Sequence, residues 1–213
     1  MLARLLPCGE AALLIEVADA TAVGAATAVL LDHVEAEGEP TGVVEVVPAA
    51  RTVLVRYADP ASMAAHRPIL VALLTTSSPV LPPPSSERTI RVPVAYDGPD
   101  LAFVGELTGL SADEVVAAHT GRPWRVAFGG FAPGFAYLSD GDPRLRVPRR
   151  AEPRRAVPAG SVALAGEFSG IYPRASPGGW QLLGRTSVAL WDSGRHPPAL
   201  LRPGWWVRFE VAT

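Results

Sequence analysis

Ser176-Pro177-Gly178-Gly179-Trp180-Gln181 is the segment whose residue types and spacing best suit chemistry. A Gly-Gly turn presents backbone amides, and Gln181, the single glutamine of the chain, follows it at the start of a predicted strand. There it either hydrogen-bonds an amide or carboxylate in a cleft or bonds buried backbone behind the turn. Tyr137 and Tyr172 each lie within a few residues of a glycine. Their hydroxyls either orient a substrate or anchor a β domain. Ser161, in Pro158-Ala159-Gly160-Ser161, stands beside a turn, and its surroundings are not the Gly-x-Ser-x-Gly elbow of a serine nucleophile. Arg149 and Arg150, between Pro148 and Pro153, and Arg185 after Gly184 present planar forks of donors that suit a carboxylate or phosphate. For the first two a subunit interface is the competing use. Taken with Ser176, Gly178 and Gly179, these groups are donors suited to an oxygen that carries or gains negative charge.

Composition removes several alternatives. The chain has no lysine and no asparagine, so all 19 basic residues are arginine. A phosphate loop of the Walker type, a Schiff-base amine and a Cys-His-Asn protease are excluded together. One cysteine, Cys8, excludes an internal disulfide framework and a cysteine-based zinc site, and it is expected as a small buried hydrophobe. His33, His66, His119 and His196 fall on separate predicted elements without metal-ligand spacing, so no metal ligand set is expected. His119, near the end of a predicted helix, is expected in a core or capping role that favours the helix dipole. A formal net charge of −2 and the absence of any reading motif argue against nucleic acid. Charge is nonetheless uneven: residues 1–80 carry nine acidic and four basic side chains, residues 81–213 twelve and fifteen. The excess gathers at Arg144, Arg146, Arg149, Arg150, Arg154 and Arg155. No apolar run reaches the roughly 18 residues that span a bilayer. Residues 1–7 lack the charged head and apolar stretch of a signal peptide, so a cytoplasmic protein is expected.

The elements that must position these residues fall into two halves. Ser77-Ser78-Pro79-Val80-Leu81-Pro82-Pro83-Pro84-Ser85-Ser86 neither continues a helix nor supplies strand donors. It predicts an N-terminal α+β domain at 1–80, a Pro-rich linker at 81–88 and a second domain at 89–213. In the first half, strands are predicted at 12–17, 43–47 and 52–57, the last two as a hairpin. A helix at 21–37 ends at Gly38, and another begins at Asp59-Pro60 and runs to about Leu74, disturbed at Pro68. In the second half, a strand at 89–95 and a short helical region at 100–108 precede a helix opened by the capping box Ser111-Ala112-Asp113-Glu114. From Trp124 onward, short β-rich pieces are divided by Gly and Pro, as in a closed or sandwich-like β domain. All five tryptophans are expected to fill the core. Trp205 and Trp206 cannot both face inward on one strand, so one is expected to be exposed or at an interface.

Residues 124–138, WRVAFGGFAPGFAYL, with DPRLRVPRR at 142–150 and VPAGSVALAGEFSGIYPRASPGGWQLLGRT at 157–186, resemble the family of the 5-oxoprolinase small B subunit. That family is also called allophanate hydrolase subunit 1 or the Kip inhibitor family. The resemblance extends to GVVEVVPAARTVLVRY at 42–57 and ALLRPGWWVRF at 199–209, nearly the whole chain. It departs at Gly129-Gly130, where relatives often carry a larger residue, and at Ser139-Asp140, where they often have Gly-Gly. The resemblance implies a small α/β sandwich domain followed by a cyclophilin-like β-barrel domain of carboxyltransferase type. It implies ATP-dependent opening of 5-oxoproline to glutamate, by a complex with a larger C subunit (allophanate hydrolase subunit 2 type) and an A subunit of the LamB/YcsF type. This chain alone would be inactive, and it contains no recognisable ATP site. In that reaction Gln181, Tyr137, Tyr172 and Ser176 are the catalytic candidates, and the arginines, Ser161 and the Gly-Gly turn bind substrate or anion. The exposed member of the Trp205-Trp206 pair would face the C subunit. Two alternatives share the fold: an inhibitor of a sensor histidine kinase, and a subunit of an allophanate hydrolase or urea carboxylase-like enzyme.

Overall fold

Alternating side chains build both sheets of this protein. The computed structural model describes residues 4–38, 41–76 and 84–212. It divides into two compact units, Met1–Pro83 and Pro84–Thr213. Most of the proline-rich segment, residues 77–83, lies outside the described residues, and Ser86–Arg88 forms a single 3₁₀ turn.

In the first unit β1 (Arg4–Pro7), β2 (Ala12–Glu16), β3 (Val43–Pro48) and β4 (Thr52–Tyr57) form an antiparallel sheet in the order β1-β2-β4-β3. Register pairs Leu13 with Val55 and Ile15 with Val53, which places these four on one face. That face is covered by Val23, Ala26 and Leu30 of α1 (Ala20–Glu37) and by Leu70 and Leu74 of α2 (Pro60–Thr76). Asp19 caps α1 through the Ala22 amide at 2.8 Å, and Asp59 caps α2 through the Ser62 amide at 2.8 Å. α2 runs through Pro68 to Thr76. His33 and His66, separate in sequence, meet between the helices with their Nε2 atoms 3.1 Å apart, and Tyr57 Oη lies 2.9 Å from His66 Nδ1. Cys8 is exposed rather than buried, because it lies in the short β1–β2 turn outside the strand alternation.

The second unit is a barrel-like sheet. Its strands are β5 (Thr89–Val94), β6 (Trp124–Gly129), β7 (Ala136–Ser139), β9 (Ser161–Ala165), β10 (Phe168–Ile171), β12 (Gln181–Arg185) and β13 (Trp206–Val211). They run in the order β12-β9-β10-β7-β6-β13-β5, parallel at β13–β5 and antiparallel elsewhere. The two edges meet where Ala95 and Arg185 exchange backbone hydrogen bonds, each 2.9 Å. β8 (Arg154–Val157) and β11 (Ser176–Gly178) form a separate two-stranded ribbon. α3 (Leu101–Thr108) precedes α4 (Ala112–Gly121), which opens on the Ser111–Glu114 capping box. The expected α+β class with a barrel-like second half is what the chain adopts.

The seam needs a residue without a side chain. A Cβ on Gly184 would overlap the Ala95 carbonyl. All five tryptophans lie beyond residue 84, so tryptophan fluorescence reports this unit alone. Gly184→Ala is expected to cost the barrel about 2–3 kcal/mol, as overpacking does. An unchanged denaturation midpoint by fluorescence would show that the seam does not hold the barrel together.

Tryptophan placement departs from expectation. Trp124 and Trp180 are core residues, but Trp191 is 43% exposed. Trp205 and Trp206 are both half-buried, so neither stands out of the fold. The alternation argument does not apply to them, because Trp205 precedes β13 and packs beneath Arg202, whose Cζ lies 4.7 Å from the ring centre.

Candidate functional site

Each wall strand of the barrel presents two faces. Ala136, Leu138, Val162, Leu164, Ile171 and Leu183 point into the barrel. Their neighbours Phe135, Tyr137, Ala163, Ala165, Tyr172 and Leu182, together with Trp180, form a second apolar cluster on the other face. Where this cluster reaches solvent it leaves a pocket of about 140 Å³. Phe135, Tyr137, Tyr172 and Trp180 line it with aromatic edges, their ring centres 5.2–5.5 Å apart in T-shaped pairs. Phe131, Arg149 and the Pro177-Gly178-Gly179 turn complete the lining.

Polar groups converge on this aromatic box. Gly178 lets the turn lie close on Tyr172, since a Cβ there would overlap the Tyr172 hydroxyl and push the ring aside. Burial raises the Tyr172 hydroxyl above its ordinary pKa, against the opposing pull of the Trp180 amide, Arg149 and Arg154. The hydroxyl therefore stays protonated near neutrality and is available as a donor.

Behind the pocket lies a charged knot. Asp100 stands just before α3, but its carboxylate does not cap that helix. Oδ1 accepts from Arg150 Nη1 at 3.1 Å and from Arg154 Nη2 at 2.8 Å, and Oδ2 accepts from the Leu182 amide at 2.7 Å. The Arg150 amide in turn donates to the Gly179 carbonyl at 2.7 Å. Asp100 thereby ties residues 150–154 to β12 and holds the Gly178-Gly179 turn against the aromatic cluster.

The sequence candidates separate on this geometry. Tyr137, Tyr172, Arg149, Gly178 and Gly179 come together in the pocket. Gln181 does not line it: the side chain is 1% exposed, and Nε2 donates to the Pro148 carbonyl at 3.1 Å while Oε1 is buried without a partner. Its amide nitrogen fastens the arginine-bearing loop at Pro148. Ser176 Oγ donates to the Arg174 carbonyl at 3.1 Å and lies outside the pocket lining. Ser161 is buried at the start of β9, where its carbonyl accepts from the Tyr172 amide at 2.9 Å. Arg150 is committed to Asp100, and Arg185 pairs with Asp97 at 2.8 Å beside the seam. The arginine cluster is likewise dispersed, Arg144 pairing with Asp142 and Arg146 with Glu167. Asp100 carries no sequence signal, reading as an ordinary residue before a helix, and Phe131 and Phe135 have none beyond membership of the 124–138 block.

Comparison with known proteins places the chain. Residues 3–201 match the carboxyltransferase domain family, subdomain C and D. The 5-oxoprolinase B subunit of Escherichia coli O157:H7 is 46% identical over 170 residues, covering 78% of this chain and 77% of that protein. The chain belongs to the family of 5-oxoprolinase B subunits. The corresponding B subunit of Bacillus subtilis is 44% identical over 58% of this chain and 53% of its own. Among solved structures, TTHA0988 matches 95% of this chain at 37% identity and a TM-score of 0.74, and this chain spans 40% of its length. PH0987 of Pyrococcus horikoshii, described as a conserved uncharacterized protein, is 36% identical over 98% of this chain and 97% of its own, with a TM-score of 0.57. The urea carboxylase of Kluyveromyces lactis shares the fold at 21% identity and a TM-score of 0.73 over 98% of this chain. The three blocks that carried the family resemblance, 124–138, 142–150 and 157–186, supply every residue of the pocket lining. No helix among the described residues is long and apolar enough to cross a membrane.

Proposed function

We propose that this chain is the B subunit of a cytoplasmic, ATP-dependent 5-oxoprolinase, and that the aromatic pocket receives the five-membered cyclic amide. The observation that carries the reading is the pocket itself: a small box of aromatic edges with one guanidinium and two phenol groups on its lining, in a chain 46% identical to a 5-oxoprolinase B subunit. Flat ring edges suit a flat heterocycle. Arg149 suits its carboxylate through a two-pronged charge-assisted contact. In this reading the Tyr137 and Tyr172 hydroxyls donate toward the ring carbonyl, where charge grows as the amide is activated.

The lactam carbonyl is resonance-stabilised, so opening it requires activation. Transfer of the ATP γ-phosphoryl to the amide oxygen makes the ring carbon electrophilic; water adds there, the C–N bond breaks, and glutamate, ADP and phosphate are released. A volume of about 140 Å³ suits one small ring rather than a whole nucleotide, and in this reading ATP is held by another subunit or at a shared cleft. The larger C subunit and the LamB/YcsF-type A subunit complete the enzyme.

Reconstitution tests the reading. Purified A and C subunits should release glutamate from 5-oxoproline and ATP only when this chain is added. Release that is indifferent to this chain would remove the proposal and favour the alternative role, an inhibitor of a sensor histidine kinase.

A further inference from the structure

Phe131 is held at φ 67°, a region that L-residues avoid because Cβ crowds the neighbouring carbonyl, and one where a bulky residue is an outlier. The turn around it is tight. The Ala132 amide donates to the Gly130 carbonyl at 2.8 Å, two residues back, and the Gly130 amide donates to the Phe135 carbonyl at 3.2 Å. A two-residue hydrogen bond about a centre at positive φ marks the rarer, strained form of the γ-turn. The Phe131 side chain is 58% exposed, so it contributes little burial in exchange for its backbone. Its ring stands edge-on to Phe135 at 5.2 Å and to Tyr172 at 6.0 Å, at the mouth of the pocket.

Strain kept by an exposed apolar residue at the rim of a pocket points to use by a ligand. We propose that Phe131 is the cap of the aromatic box, a specificity-determining residue whose ring lies over the bound cyclic amide and sets the ring size admitted. The inference rests on the pocket reading above and adds the residue that closes it. The far end of the turn is anchored: Gly134, at φ 83°, lies so close to Leu190 and Trp191 that a Cβ there would come within 2.9 Å of the Trp191 Cβ. The near end is less crowded, since a Cβ on Gly130 would meet only the Tyr137 ring edge, at ordinary contact distance, and it is held by the two backbone hydrogen bonds of the turn.

Two substitutions separate strain from contact. Phe131→Gly removes both the ring and the left-handed penalty, whereas Phe131→Ala removes the ring and keeps the penalty. In urea denaturation followed by tryptophan fluorescence, the glycine variant should have an unfolding constant about tenfold smaller than the alanine variant. Calorimetric titration of 5-oxoproline into the full chain assembled with its partner subunits should show both variants binding about tenfold more weakly than the unaltered chain. Both should also discriminate less against 6-oxopiperidine-2-carboxylate, the six-membered homologue. Equal stability of the two variants, or unchanged affinity and ring-size preference, overturns the cap. Arg149→Ala distinguishes the two levels: if it weakens binding and Phe131→Gly does not, the pocket stands and the cap falls. No binding by the unaltered assembly, or no effect of either substitution, removes the pocket reading and the cap with it.

Discussion

Asp100→Ala is expected to lower the stability of the barrel unit by about 3–5 kcal/mol, the range found when one partner of a buried ion pair is removed. The carboxylate side chain is only 5% exposed and serves three donors at 2.7–3.1 Å. Its loss leaves the Leu182 amide unsatisfied inside the wall and strands two guanidiniums. Those guanidiniums have no reserve, since Arg150 Nε and Arg154 Nη1 already lack partners. Partial solvent access to the two arginines, 34% and 23% exposed, places the effect toward the lower end of that range. The same carboxylate responds to acid. Burial alone would raise its pKa, but the hydrogen bonds from Arg154 and the Leu182 amide, with the charges of Arg154 and Arg150, hold it below the usual carboxylate value. A depressed folded-state pKa means the contribution is present above the unfolded-state value and is lost as pH falls through the folded one. Urea denaturation read by tryptophan fluorescence tests the loss, and a midpoint equal to that of the unaltered chain would contradict the knot. Because Asp100 positions residues 150–154 and β12, the variant should also lose 5-oxoproline affinity.

His119 gives the second large effect, a fall in stability on acidification. It is wholly buried, stacked on Phe209 at 4.3 Å and beside Trp124 at 5.2 Å. Its hydrogen bonds define one consistent tautomer. Ser169 Oγ donates to the Ala163 carbonyl at 3.2 Å, so it accepts from His119 Nε2–H at 2.9 Å, and Nδ1 accepts from the Tyr96 hydroxyl at 2.7 Å. Burial pushes the imidazole pKa down to about 3. Between the unfolded value of about 6.5 and the folded value of about 3, the unfolded chain binds a proton that the native chain does not. Stability is therefore complete above pH 6.5 and falls by about 1.4 kcal/mol per unit below it, about 3 kcal/mol by pH 4.5. His66, also lowered by burial and by His33, acts in the same direction within the first unit. His119→Gln should be less stable at pH 8 and should flatten the acid slope of the barrel unit. Parallel pH profiles for the two proteins would contradict the assignment. Of the two expected roles, core and capping, His119 takes the first: it supports the fold as an uncharged core hydrogen-bonding group.

What the sequence disclosed and what it hid follow from how far each interaction reaches. Helix starts at Asp59 and Ser111 were legible because a cap and its amide lie three residues apart. The β3–β4 hairpin was legible for the same local reason. β1 was not, since four residues ending in Pro7 carry too short a pattern to separate from a loop. Arg150 read as an anion binder or an interface residue, yet the carboxylate that it and Arg154 serve lies far away in sequence: Asp100 is 50 and 54 residues from Arg150 and Arg154, and 82 from Leu182. No local pattern encodes such a knot. The pocket was hidden differently, because an apolar cluster on the outer face of a barrel wall alternates in the same way as the core on its inner face. The departure at Ser139-Asp140 has a physical account. Asp140 takes φ 66°, a conformation glycine adopts freely, and its Oδ2 is bonded by the buried Arg125 Nε at 2.6 Å.

The most direct measurement is the 5-oxoproline and ATP dependence of the reconstituted complex carrying Arg149→Ala. Arg149 is the guanidinium that lines the pocket, so the KM for 5-oxoproline should rise at least tenfold, as befits loss of a charge-assisted contact. The KM for ATP should stay where it was, since the proposed function puts the nucleotide outside this pocket. A 5-oxoproline KM indistinguishable from that of the unaltered complex would contradict the assignment of this pocket to the cyclic amide.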